Sequence, residues 1–289
     1  MKLPYKTAVI SDEIAQDVAI AAETAHAYDL DALEIRGAWG KGPHQLDAGD
    51  IVKIKDITAA RNLVICGVAP PFFKCDLDDA SAVQDHLDIL RRSCATARSL
   101  DTKLVRGFAF FRRGPMEPVK AQIVAYLKMA AEIVEGEGAI LALENEYSTY
   151  NCNVARTLEL IEAVGSDSIK LLYDPGNDVH DPEGEVAWPD SYKLAIGKMV
   201  HMHLKDPKRN ADGTVTTVAI GNGDIHAEEM LGALASSGYT GYVSLETHYR
   251  REPLTEELTR LPSGEHFSAG GWVASRECLD NWLAIAKRV

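Results

Sequence analysis

The chain has 289 residues, 46% hydrophobic and 25% charged, which is enough apolar material for one large core. A formal net charge of -13 argues against duplex nucleic acid and membrane surfaces as partners, because both present anionic groups. The five cysteines, odd in number and without C-x-x-C spacing, argue against a disulfide framework or a zinc–thiolate site and point to a reducing compartment.

Short β-rich runs alternate with longer helical patterns along the chain. TAVI (7–10) precedes a helix predicted from about 14 to 28, and ALEI (32–35) follows it. A helical pattern over 50–60 leads to LVICGVA (63–69), and an amphipathic stretch over 81–100 leads to KLVRGFAF (103–110). Pro118 suits a first helical turn, with the helix running to about 135 before AILALE (139–144). Asn153 is a candidate N-cap for a helix over 153–164, followed by IKLLYD (169–174). A short helix over 191–196 precedes MVHMHLK (199–205), one over 228–236 precedes YVSLE (242–246), and the last covers about 274–288.

This alternation predicts parallel strands joined by crossover helices. An open doubly wound sheet would typically carry a Gly-rich loop after its first strand, whereas here that position reads ISDEIAQD. The expected fold is therefore a single (β/α)8 TIM barrel spanning 1–289, near the roughly 250 residues usual for that fold. Two long loops, 206–224 and 247–271, follow strands that end in polar residues; the first contains a D-G turn that suits a small hairpin. The opening MKLPYKTAVISDEIAQD has no apolar core of signal-peptide length, and no run is long and apolar enough to span a bilayer. A cytoplasmic location is expected.

The polar residues fall at the C-terminal ends of the β runs, which converge on one face of a barrel. Asp12 and Glu13 follow the first run, Glu34 and Arg36 end the second, and Arg106 lies in the fourth. Glu144, Asp174, His203 and Glu246 end the last four. Three carboxylates and one imidazole make a mostly oxygen site that suits one divalent ion: Mn2+, Mg2+ or Co2+, with Zn2+ tolerated. Without a cation, three anionic groups in one pocket would be costly. His201 shares H-x-H spacing with His203 and reads as a packed, hydrogen-bonded neighbour.

Around this set, Lys205 should point the same way as His203, either to bind a substrate oxygen or to compensate the carboxylates; a salt bridge to Asp206 is the plain alternative. Asn177 could hydrogen-bond a substrate hydroxyl, Glu146 could contact substrate or metal, and Glu34 is expected across the mouth as a further substrate contact. Trp39, Phe72, Phe73 and Phe108 are candidates for an apolar wall or for plain packing, while His180, His226 and His248 have no selecting spacing.

The segments LENE (143–146), YDPGN (173–177), HMHLKD (201–206), IGNGDI (220–225) and SGYTGYVSLETH (237–248) resemble the xylose-isomerase-like TIM barrels, the superfamily of sugar-phosphate isomerases and epimerases. SDEIAQD (11–17) and LEIRGAWG (33–40) match more loosely, so the resemblance covers essentially the whole chain. It implies a divalent metal on Glu144, Asp174, His203 and Glu246, and chemistry on a sugar or polyol. In the ketose 3-epimerase branch the two metal-binding glutamates also act as acid and base on opposite substrate faces, which by position implies Glu144 and Glu246. Arg209 matches an arginine that contacts substrate in that branch. This chain departs from the branch in carrying Asn177 where it has a histidine and Tyr150 where it has a glutamate.

The expected activity is metal-dependent isomerisation or epimerisation of a small sugar or keto-polyol by proton abstraction next to a carbonyl. A sugar or inosose dehydratase on the same site is the nearest alternative, and a non-catalytic sugar-binding barrel is a weaker one. A DNA-repair endonuclease of the same barrel type would need more metal-binding histidines and a basic surface. Assembly as a homo-oligomer is left open.

Overall fold

The computed structural model describes residues 3–252 and 264–289. Residues 253–263 of the expected 247–271 loop thus lie outside the described residues.

The strands are β1 (Lys6–Ile10), β2 (Ala32–Ile35), β3 (Val64–Val68), β4 (Leu104–Gly107), β5 (Ile140–Glu144), β6 (Ile169–Tyr173), β7 (Met199–Leu204), β8 (Asp206–Arg209), β9 (Val215–Val218) and β10 (Tyr242–Leu245). Eight of them close a barrel in the order β1-β10-β7-β6-β5-β4-β3-β2, so the fold is a TIM barrel. All eight pairings are parallel, and β1 closes the ring by pairing both β2 and β10. The predicted hairpin is present as antiparallel β8 and β9, turned at Asp212 and Gly213, where Gly213 has φ +85°.

The helices are α1 (Ser11–Ile14), α2 (Val18–Ala27), α3 (Ala48–Ala59), α4 (Ala80–Ser99), α5 (Lys120–Glu137), α6 (Val154–Val164), α7 (Pro175–Val179), α8 (Tyr192–Ala195), α9 (Ala227–Ser236), α10 (Glu265–Ser268) and α11 (Gly271–Ala286). Asn153 does cap α6, its side chain accepting from the Arg156 N–H at 2.8 Å. Among the described residues, no helix is long and apolar enough to cross a membrane.

Several boundaries differ from the sequence expectation. The first predicted helix starts later, as α2 capped by Asp17, and the short α1 precedes it. Helix α5 begins at Lys120, after Pro118 rather than at it. Strand β4 stops at Gly107 because Phe108 and Phe110 turn to the β3 loop, their N–H groups donating to the Phe72 and Phe73 carbonyls at 3.0 and 2.9 Å. Short α7 was not foreseen: Asp174 accepts from the N–H groups of Gly176 and Asn177, starting a helix directly after β6. Gly176 is required there, since a Cβ would run into the Lys205 side chain.

Strand alternation sorts the core into two zones. Outward-facing Val9, Leu33, Ile65, Val105, Leu141, Leu171, Met202 and Leu204 pack against the helices, all 7% exposed or less. Each fully buried aliphatic side chain of this kind stabilises the fold by about 1.5–3 kcal/mol. Inward-facing residues are small at one level, where Ala8, Ala32 and Cys66 meet. Further along the strands the interior becomes polar: Glu34, His201, His203 and Ser244 are at most 1% exposed. The interior of the barrel thereby leads from a small apolar plug to the charged strand ends.

Candidate metal centre

Strands β5, β6, β7 and β10 bring Glu144, Asp174, His203 and Glu246 together. One ligand atom from each lies within 4.8 Å of the others, and all four residues are buried. Each is oriented by its surroundings. Asp174 uses Oδ1 to cap α7, which leaves Oδ2 for the cluster. The backbone around Asp174 is clamped by Asn145, which donates to the Asp174 carbonyl at 2.8 Å and accepts from the Asp174 N–H at 2.8 Å. Asn177 donates to Glu144 Oε1 at 3.3 Å and to the Asn145 carbonyl at 2.7 Å.

His203 points Nε2 at Glu34, 3.1 and 3.2 Å from its two oxygens, and Nδ1 towards Glu144 Oε1 (3.4 Å) and Glu246 Oε2 (4.0 Å). Glu34 also contacts His201 Nε2 at 2.9 Å, and that nitrogen lies 2.9 Å from Ser244 Oγ. His201 is thus a packed, hydrogen-bonded histidine. Glu34 corrects its expectation: it is fully buried one level below the mouth, engaged with both histidines. Its inward position in β2, two residues before Arg36, puts it beneath that arginine rather than beside open space.

Cations surround the carboxylates. Lys205 Nζ lies 2.5 Å from Asp174 and 2.7 Å from Glu246. Arg36 binds Asp12 at 3.0 Å, Glu13 at 2.7 Å and Glu246 at 3.1 Å. Arg106 Nη1 is 3.3 Å from Glu144 and 3.7 Å from Glu246. Lys205 does not pair with Asp206, which instead accepts from the N–H groups of Gly221, Gly223 and Ile225, wrapping the IGNGDI loop around its carboxylate.

Titration follows from these contacts. Burial would raise Glu144, but His203 and Arg106 outweigh it and bring the carboxyl down to about 2. Burial raises Asp174 to about 7 against the pull of Lys205, because Glu246 and Glu144 crowd it. Burial would lower His203, yet Glu34 and Glu144 push it up to about 10. Glu246 lies well below the usual carboxylate range despite burial, held there by Lys205 and neighbouring cations.

The arrangement fits a divalent cation. Three carboxylates and an imidazole are the donor set such an ion takes. Glu144 Oε2 and His203 Nδ1 are buried without a hydrogen-bond partner. The Lys205 ammonium already bridges two of the carboxylates as a cation would.

A cavity of about 510 Å³ opens over the cluster, lined by Glu144, Glu146 and Glu246 and by Asp12, Arg36, Lys74 and Arg106. Glu146 faces this cavity, paired to Lys74 at 2.9 Å. Asn177 is buried behind Glu144, with its Oδ1 unpartnered. Arg209 lies on the hairpin, its guanidinium donating to the Val179 carbonyl, and lines a separate groove with Asp178, Asp181 and Asp224. Tyr150 is 6% exposed, and Phe72, Phe73 and Phe108 are core residues; Trp39 bonds Asp17 at the rim. Among the described residues, Phe267 lines the cavity, its ring centroid 4.0 Å from the Arg36 guanidinium carbon. His248, with φ 41°, sits 3.3 Å from Glu13 and 3.5 Å from Glu246. Asn145 and Lys74 received no role from the sequence. The signal for Asn145 was its place between two glutamates in LENE; Lys74 sits in a loop with no motif.

Comparison with known proteins gives the family of the chain. A curated inosose isomerase from Halalkalibacterium halodurans is 31% identical over 140 residues, 44% of this chain and 46% of that protein, so the match spans about half of the relative's length. The crystal structure of D-psicose 3-epimerase with D-tagatose from Clostridium cellulolyticum H10 superposes with a TM-score of 0.71 at 16% identity, covering 98% of this chain and 99% of that one. A Mycobacterium smegmatis protein in complex with magnesium, described as a xylose isomerase-like TIM barrel protein, gives 0.66 at 16% identity over 99% and 96% of the two chains. The family model for the xylose isomerase-like TIM barrel matches residues 22–281, and the chain belongs to that family.

Proposed function

We propose that this chain is a divalent-metal-dependent isomerase or epimerase of a sugar or keto-polyol. The observation that carries the reading is the pair Glu144 and Glu246: two buried carboxylates from β5 and β10 that meet in one cluster with Asp174 and His203 and border one cavity. Glu144, Asp174, His203 and Glu246 would hold the metal, with Mn2+, Mg2+ or Co2+ favoured by the oxygen-rich set and Zn2+ tolerated. When bound, that ion supplies Lewis acidity beside a substrate carbonyl.

The chain's own residues move the protons. His203 and Arg106 keep Glu144 ionised, and Lys205 and Arg36 do the same for Glu246, so either can accept a proton from carbon at neutral pH. One glutamate takes the proton next to the carbonyl. The other returns one, to the opposite face in epimerisation or to the neighbouring carbon in isomerisation. Lys205 places a fixed positive charge where negative charge develops. Asn177, Glu146 and Lys205 are the substrate-contact residues of this reading. Glu34 acts from below through His203, and Arg209 reaches substrate only if the hairpin carries it inward from the Val179 carbonyl.

The similarity to an inosose isomerase makes cyclic keto-polyols the first substrates to test. The deciding experiment is deuterium incorporation from D2O into a panel of ketoses, keto-inositols and 3-keto sugars, with and without chelator. Metal-dependent exchange at a carbon next to the carbonyl is the expected result. No exchange across the panel refutes the reading, and a product lacking the elements of water makes the enzyme a lyase instead.

A further inference from the structure

The cavity wall beyond the metal ligands carries two cations on one aromatic ring. Lys74 Nζ lies 4.4 Å from the Phe108 ring centroid, and the Arg106 guanidinium carbon lies 5.0 Å from it. Phe108 is fully buried, which fixes the ring, while Lys74 and Arg106 both line the cavity. Arg106 is 6% exposed; its Nη2 donates to the Ala69 carbonyl at 3.1 Å and its Nε–H has no partner. The anionic partners of Arg106 are Glu144 and Glu246. Lys74 pairs with Glu146, and its side chain is 32% exposed.

The charge balance of this wall depends on what Glu144 and Glu246 bind. A divalent cation drawing on both carboxylates would leave Arg106 short of counter-charge, because Glu146 is paired with Lys74 and the nearby Asp12 with Arg36. One positive charge is left over. A buried guanidinium without a full counter-charge is costly, and its planar fork suits a carboxylate. A single surplus charge matches a monoanion better than a phosphate dianion.

We propose that Lys74 and Arg106 form a subsite for a carboxylate carried by the substrate, at the end remote from the reacting carbonyl. This rests on the reading of the site as a metal-dependent sugar or polyol enzyme and names the substrate class as a sugar or polyol acid.

The test compares gluconate with sorbitol, which differ only at one terminal carbon, by calorimetric titration of the Mg2+-saturated protein. Gluconate is expected to bind at least about tenfold more tightly, the worth of one charge-assisted hydrogen bond. Lys74→Gln should remove most of that preference, read as the ratio of gluconate to sorbitol affinity, while Lys74→Arg should retain it. Gluconate binding no tighter than sorbitol, undetectable binding included, overturns the subsite. So does a preference that survives in Lys74→Gln, which would put the carboxylate on the metal. Deuterium exchange on neutral ketoses without a gluconate preference removes this subsite alone. A Lys74-dependent gluconate preference without exchange on any substrate removes the isomerase reading alone.

Discussion

Glu34 holds Nε2 of His203 from the level below at 3.1 Å, and this leaves only Nδ1 to face Glu144 and Glu246. A carboxylate behind an imidazole fixes its ring and tautomer and raises the basicity of the free nitrogen. Glu34→Gln should therefore weaken metal binding by about 10- to 100-fold while leaving the fold intact. Competition with a metallochromic chelator measures this. Unchanged affinity would show that His203 needs no such orientation.

The two glutamates make a sharper pair of variants. In the proposed reading each holds the metal and each also transfers a proton. Glu246→Gln and Glu144→Gln should each lower turnover by about 100- to 10,000-fold. If the roles belong to opposite substrate faces, one variant should still exchange deuterium into substrate without releasing product, because only the return step is lost. Full activity in either variant contradicts the acid–base assignment.

The barrel could be read from the sequence because strand–helix alternation and apolar strand faces are local signals, and because strand ends must converge once a barrel closes. That same convergence brought Glu144, Asp174, His203 and Glu246 into one list. Other features depend on register and loop path, which the sequence does not display. Arg36 stood out only as a strand-end residue, yet it joins Asp12 and Glu13 after β1 to Glu246 after β10, since β1 lies between β2 and β10 in the ring. Asn145 gained its role only when β5 and β6 came into register, and Lys74 when its loop folded over Phe108. Glu34 was expected across the mouth, whereas it lies against both histidines below it.

Asp178 gives a stability prediction away from the ligands. It is 3% exposed, accepts from Asn145 Nδ2 at 2.9 Å, and contacts Ser191 Oγ. Burial pushes its carboxyl well above the ordinary 3.8 against the pull of the Ser191 contact. The folded protein therefore keeps a proton that the unfolded chain releases above 3.8. The contribution of this group to stability is greatest below that value and is lost as pH rises towards the folded-state value. Asp178→Asn mimics the protonated form and keeps both hydrogen bonds. It should be at least as stable as wild type near neutral pH, with the two denaturation curves converging in acid. A variant less stable near neutral pH that converges with wild type only in acid would show that the carboxylate is held ionised.

Lys205 supplies the last prediction. Its ammonium lies 2.5 Å from Asp174 and 2.7 Å from Glu246 and is itself 4% exposed. In the metal-free protein it offsets a cluster of buried carboxylates, and removing one partner of a buried ion pair typically costs about 3–5 kcal/mol. In the proposed reading a divalent cation held by Asp174 and Glu246 would take over that role. Lys205→Met should therefore melt well below wild type without metal and recover much of the difference when Mg2+ is added. The metal-induced rise in Tm is then larger in the variant than in wild type, because binding to the folded state alone adds stability in proportion to affinity. Thermal scans of both proteins in chelator and in Mg2+ provide the four values. An equal rise in both would mean that the ammonium and the metal do not compete for the same carboxylate charge, and that Lys205 serves the substrate alone.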